Sequence, residues 1–150
     1  MPGIRVRFRL NGEWVQAQGP LDRRLIDVLR LDLGLPGPPE GCGRGECGSC
    51  LVLFNQKAVN ACLLPLFAAA EAEVLTAEGI AGSRAFSGLP AWLRRRALAA
   101  PGEAQRCGRC SPGRLVALAG LYLGNPEAEA EELAEALSGN WCSCGTIGRP

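Results

Sequence analysis

The chain has no histidine, a single methionine and tyrosine, and a formal net charge of only +1 over 150 residues. Each scarcity removes a class of function. Without imidazole there is no mixed Cys/His zinc site, no histidine-dependent catalytic dyad or triad, and no histidine-based haem attachment. Near-neutral charge with no long basic run leaves little to neutralise phosphates, which argues against nucleic-acid binding. The most apolar later stretch, Leu115 to Leu123, is far shorter than the roughly 20 residues that span a bilayer. Nor does the start resemble a signal peptide. Met1 to Leu10 alternates Arg5, Arg7 and Arg9 with Ile4, Val6, Phe8 and Leu10, where a leader needs an unbroken apolar block. The expectation is a cytoplasmic chain with no membrane span.

What is plentiful is cysteine and glycine, eight and 20 respectively. In a secreted protein eight cysteines suggest four disulfides; in a reducing compartment they point to metal or redox work. With histidine absent, all-thiolate sites are the main option. No activated serine and no G-x-G-x-x-G following a strand competes with that reading.

The first half reads as a mixed α/β unit. Ile4–Leu10 has the period of a strand, Asn11-Gly12 is a hairpin signal, and Glu13–Ala17 can return beside it. Leu21 to Leu33 has helical spacing and is stopped by Gly34 and the prolines that follow. Strands are expected at Leu51–Phe54, around Ala58-Val59 after an Asn55-Gln56 turn, and near Glu73–Thr76. A linker is expected at 79–88. The second half is rich in Ala and Leu and reads as helices: Leu89 to Ala99, Ser111 to about Leu123 with Ser111 as N-cap before Pro112, and a last one opened by Asn125-Pro126 and ended by Ser138-Gly139-Asn140. Two units of about 75 residues have small cores and commonly need staples.

The cysteines form two sets. The first is Cys42-x4-Cys47-x2-Cys50 with Cys62 further on, the order of a plant-type [2Fe-2S] site. Such a cluster with four thiolates is anionic, so its loop must wrap closely and aim N–H groups at sulfur; Gly41, Gly43, Gly45 and Gly48 permit this. A zinc site or free thiols are the alternatives, and zinc usually takes two short C-x2-4-C knuckles. The second set is Cys107-x2-Cys110 with Cys142-x-Cys144. On spacing alone zinc stays open there. Cys110 precedes a helix N-terminus, where the dipole favours an anionic centre, and an antiparallel pair of intervening helices would bring the two halves of the set together. Arg44 and Arg109, inside the two loops, are candidates for raising cluster potentials or for contacting a partner.

Both sets together, with Leu25-Ile26-Asp27-Val28-Leu29-Arg30, Asn60-Ala61-Cys62-Leu63 and Ala136-Leu137-Ser138-Gly139-Asn140, resemble the two-cluster iron-sulfur subunit of the molybdenum hydroxylases, the xanthine dehydrogenase, aldehyde oxidoreductase and carbon monoxide dehydrogenase group. The resemblance implies an α+β chain: a β-grasp plant-type ferredoxin domain at 1–78, then a small all-α helical-bundle domain at 79–150. It implies two [2Fe-2S] clusters, on Cys42, Cys47, Cys50 and Cys62 and on Cys107, Cys110, Cys142 and Cys144. It also implies an electron-transfer subunit with no catalytic site of its own. Its partners in a hetero-oligomer would be a molybdopterin-binding large subunit, which holds the catalytic centre, and an FAD-binding medium subunit. The chain departs from the family where Arg106 replaces a usual Gln before the second set, and at Ser143, where Arg is common. These positions motivate an alternative, a stand-alone or repurposed redox module that keeps only the N-terminal cluster and has zinc or an altered site at its C-terminal end.

Overall fold

The structure, a computed structural model, describes residues 3–87, 89 and 110–141. The N-terminal part is a five-stranded mixed sheet in the order β2-β1-β5-β3-β4. Strand β1 (Ile4–Leu10) pairs antiparallel with β2 (Glu13–Gly19), in the register Phe8 to Val15, and parallel with β5 (Glu73–Leu75). Strand β3 (Leu51–Phe54) lies antiparallel to both β4 (Lys57–Asn60) and β5. The hairpins turn on residues with positive φ, Asn11-Gly12 and Asn55-Gln56, as short two-residue loops require.

The sheet separates two cores. Side chains alternate across a strand, so Val6, Phe8 and Leu10 of β1, Val74 of β5 and Val52 of β3 face one side. There they meet α1, whose first turn, Leu25–Asp27, widens into a π-helical stretch, Val28–Asp32. The widening is visible in the Leu33 N–H donating to the Val28 carbonyl at 3.0 Å. Leu25, Ile26, Val28 and Leu29 are fully buried against the sheet. On the other side Leu53 packs with Ile80 of α2 (Ala77–Gly82), Phe86, and Val116, Leu118 and Ala119 of α3 (Ser111–Gly124). Leu133 of α4 (Ala130–Leu137) completes that second core.

Several expectations are corrected. The helix expected over 21–33 begins at Leu25, because Arg24 is extended and bridges Pro65 while the Leu25 N–H donates to the Leu64 carbonyl at 2.7 Å. The expected linker at 79–88 carries the end of α2 and a 3-10 turn, Arg84–Phe86, held by the burial of Ile80 and Phe86. Cys110, not Ser111, is the N-cap of α3, with Pro112 in its first turn. Asn125-Pro126 forms a turn in which Asn125 Oδ1 accepts from the Glu127 N–H at 3.1 Å. The last helix opens later, where Glu129 and Glu132 exchange side-chain to backbone hydrogen bonds as a capping box. The helix expected at 89–99 lies outside the described residues apart from Leu89. Among the described residues no helix is long and apolar enough to cross a membrane.

Candidate metal centre

The loop 41–50 joins α1 to β3 and carries three of the first four cysteines; the fourth, Cys62, follows β4. Cys47, Cys50 and Cys62 are buried and Cys42 is half-buried. The loop is anchored at its entrance by Arg24, whose guanidinium binds Asp27 of α1 at 2.9 Å and Glu40 at 2.7 Å. At its exit the Ala61 N–H donates to the Cys50 carbonyl at 3.1 Å and the Ile26 N–H to the Ala61 carbonyl at 3.1 Å. Cys50 and Cys62 are thereby fixed by strand ends and helix α1 together.

The loop aims its own backbone at sulfur. Cys42 Sγ accepts from the N–H groups of Arg44 at 3.3 Å, Glu46 at 3.2 Å and Cys47 at 3.4 Å, and Cys47 Sγ accepts from the Cys42 N–H at 3.3 Å. This folding back leaves no room at Gly41, where a Cβ would stand 2.5 Å from Cys47 Sγ. It is the backbone of Arg44, not its guanidinium, that reaches the site; the guanidinium is paired with Glu46 at 2.9 Å. An asparagine that the sequence gives no evident role braces the loop. Asn60 donates from Nδ2 to the Gly45 carbonyl at 3.2 Å and accepts the Cys50 thiol at Oδ1 at 3.7 Å.

As free thiols the cysteines differ. Desolvation is the largest influence on Cys42 and pushes it up, but the N–H groups of Arg44, Cys47 and Glu46 together outweigh it and bring the thiol down to about 7. Cys50 is pushed up to about 12, first by burial and then by the neighbouring Cys62 and Cys47. Cys42 neighbours Cys47, and Cys50 neighbours Cys62 and Cys47 in turn. Among the described residues no three Cys, Asp or Glu side chains converge to hold a single metal ion. Four neighbouring thiols, with backbone N–H groups aimed at Cys42 and Cys47, have the chemistry to hold a binuclear iron-sulfur cluster, whose thiolate-bound negative charge those donors would meet.

Of the second set, Cys110 is buried at the N-terminus of α3; Cys107, Cys142 and Cys144 lie outside the described residues, as do Arg106, Arg109 and Ser143. Both ends of the α3–α4 pair nevertheless return to the first loop. Gly113 packs against the Gly48 carbonyl so closely that a Cβ there would collide with it. Asn140 Nδ2 donates to the same carbonyl at 3.0 Å, and the Trp141 N–H donates to the Cys47 carbonyl at 3.0 Å. Gly48 itself has φ +67°, and a Cβ on it would stand 2.6 Å from both Asn140 Nδ2 and the Gly139 carbonyl. In the sequence Asn140 reads only as part of a helix end; its burial and its partner far away in the chain are what mark it.

Residues 8–80 match a family described as the 2Fe-2S iron-sulfur cluster binding domain, and residues 76–149 match a second, the [2Fe-2S] binding domain. Two distinct cluster-binding domains indicate two [2Fe-2S] clusters. The chain is 38% identical over 144 residues to the nicotinate dehydrogenase small FeS subunit of Eubacterium barkeri, covering 96% of this chain and 88% of that one. It is 36% identical over 141 residues to a nicotinate dehydrogenase subunit of Pseudomonas putida, covering 94% and 86%. Among solved structures, quinoline 2-oxidoreductase from Pseudomonas putida 86 superposes with a TM-score of 0.80 at 29% identity, over 98% of this chain and 89% of that one. An N–H-lined thiol loop on a mixed sheet, a helical pair folded back onto it and two matching cluster domains make this chain a member of the small iron-sulfur subunit family of the molybdenum hydroxylases.

Proposed function

We propose that this chain carries electrons from a molybdopterin-binding large subunit to an FAD-binding medium subunit through two [2Fe-2S] clusters. The observation that supports this most is the return of both ends of the α3–α4 pair to Cys47 and Gly48. Cys110 is a member of one thiolate set, and Trp141 adjoins Cys142 of the same set. Contact of their helical pair with the loop of the other set supports two sets lying side by side, as one-electron relay demands.

The first cluster is assigned to Cys42, Cys47, Cys50 and Cys62. The second is assigned to Cys107, Cys110, Cys142 and Cys144, beside the pterin. The bound clusters supply one-electron acceptors and donors; the chain's own residues hold them, shield them from water and line them with N–H groups. Substrate oxidation belongs to the molybdenum subunit, so this chain is an oxidoreductase component without a catalytic site. Within this reading 1–78 is a β-grasp ferredoxin-type domain and 79–150 the helical-bundle domain. The eight thiols suit a reducing, cytoplasmic compartment.

The test is iron, acid-labile sulfide and zinc per chain on anaerobically prepared protein, with EPR after dithionite reduction. Four irons and two distinguishable [2Fe-2S] signals are expected. Two irons, with zinc in the remaining thiolates, overturn the two-cluster relay.

A further inference from the structure

Among the described residues, one side of the sheet is only half covered. Over β3 and β5, Leu51, Leu53 and Leu75 are roofed by α2, α3 and the residues packed with them. Over β1 and β2 the same side carries Arg5, Arg7 and Arg9, paired in register with Gln18, Gln16 and Trp14. All six are exposed, and Trp14 keeps 48% of its surface open. Alternate strand positions lie about 7 Å apart, so the three guanidiniums form a short cationic row.

That row is unbalanced. Opposite charges across a strand pair stabilise a sheet and like charges in proximity oppose it, yet β2 answers the arginines with two glutamines and an indole. Glu73, beside Arg9 on β5, is the acid that strand pairing brings to this side, and among the described residues none of the three arginines forms an ion pair. Two of them are nonetheless held in place. Arg7 lies over the Trp14 ring at 4.1 Å from its centroid, and Arg9 donates to the Gly12 carbonyl at 3.2 Å. Ordered arginines around an open tryptophan have the composition of a protein interface, where both residue types are enriched.

We propose that this face of β1 and β2 docks an acidic surface of a partner subunit, whose carboxylates supply the counter-charges that β2 lacks. The inference rests on the subunit reading above. A protein partner suits the face better than nucleic acid because the chain's net charge is only +1 and the row is short, too small to track a phosphate backbone. β2 is an outer strand of the sheet, whereas the loop of the first thiolate set leads into β3. Docking on β1 and β2 thus anchors the chain on a surface other than the cysteine loop.

The experiment uses the assembled complex isolated through a tag on this chain. It compares the unaltered chain with triple variants in which Arg5, Arg7 and Arg9 become Glu, or become Gln should the Glu variant fail to fold. Iron content and melting temperature verify that each variant is intact. At a salt concentration of about 0.15 M the Glu variant should retain a partner subunit at least ~10-fold more weakly; Gln should lose less, and both should show a shallower salt dependence. Hydroxyl-radical labelling of Trp14 should be several-fold slower in the complex than in the salt-released chain. Equal retention by all chains, or equal Trp14 labelling free and bound, overturns the docking face while leaving the subunit reading intact. Failure to recover any partner subunit, whatever the salt concentration, overturns both. Tighter arginine-dependent binding to duplex DNA or to phosphatidylserine vesicles than to the partner proteins also overturns it.

Discussion

The two ends of the cysteine loop hold sulfur in opposite ways. At the outer end Cys42 is half-buried and receives three backbone N–H groups, so its thiolate is favoured and the thiol sits at about 7. At the inner end Cys50 and Cys62 are 3% and 4% exposed and belong to the hydrophobic core, and burial pushes the Cys50 thiol to about 12. The outer end is prepared for charge by dipoles, whereas in the proposed cluster the inner end would rely on the metal's own positive charge to take the proton's place. One loop thus combines a polar grip with an apolar one.

The contrast can be broken most severely at the inner end. Cys50→Ser should lose the first cluster altogether, read as a fall from four irons to two with disappearance of one EPR signal. Next is Gly48→Ala, which combines a left-handed φ with a Cβ driven into Asn140 and the Gly139 carbonyl; about 3 kcal/mol should be lost in urea denaturation. If Gly48→Ala is neutral, the two halves do not meet as described.

The iron-free chain gives a finer test. At pH 8 iodoacetamide should modify Cys42 readily and leave Cys50 almost untouched, seen by peptide mass mapping. The stability of that form should also respond to pH in two windows. The folded-state value of Cys42 lies below its ordinary 9.0, so its stabilising contribution is present above pH 9 and is lost as pH falls through about 7. That of Cys50 lies above 9.0, so its contribution is present below pH 9 and is lost as pH rises through about 12. A melting temperature that climbs between pH 7 and 9 and declines beyond 9 would carry both signs. The smallest effect belongs to Arg44→Ala. Its ion pair with Glu46 is largely exposed, with side-chain accessibilities of 71% and 54%, and less than about 0.5 kcal/mol should change.

The first hairpin was legible because alternation in Ile4–Leu10 and the Asn11-Gly12 turn are local signals; the expected return strand at Glu13–Ala17 is found and runs on to Gly19. The first cysteine loop was legible because its cysteines and glycines recur at short spacings, and Cys42, Cys47 and Cys50 do share one loop, with Cys62 beside Cys50; of the second set only Cys110 is among the described residues. Element starts were less so. Leu21 fits the helical period, but Arg24 is drawn into a bridge with Pro65, a contact no local pattern encodes. Asn125-Pro126 has the composition of a helix start and makes a turn instead, because the Glu129 and Glu132 capping box lies just beyond it. Asn140 could not be read as a clamp, since its partner Gly48 lies 92 residues away. The arginine row was visible as alternation, but its exposure beside a helix-covered neighbour is a property of the folded sheet alone.

Two hydrogen bonds that join the halves among the described residues end on main-chain carbonyls, those of Cys47 and Gly48. The acceptors therefore survive any side-chain change in the loop that leaves its course intact, and one of the two donors, the Trp141 N–H, survives any substitution except proline. Of this pair of bonds, only the Asn140 amide is written in a side chain. The bonds themselves thus depend on one side chain, while the close fit of Gly48 and Gly113 keeps the halves near enough to form them, so position 140 is where an engineer would loosen the join with the least disturbance of the cysteine loop.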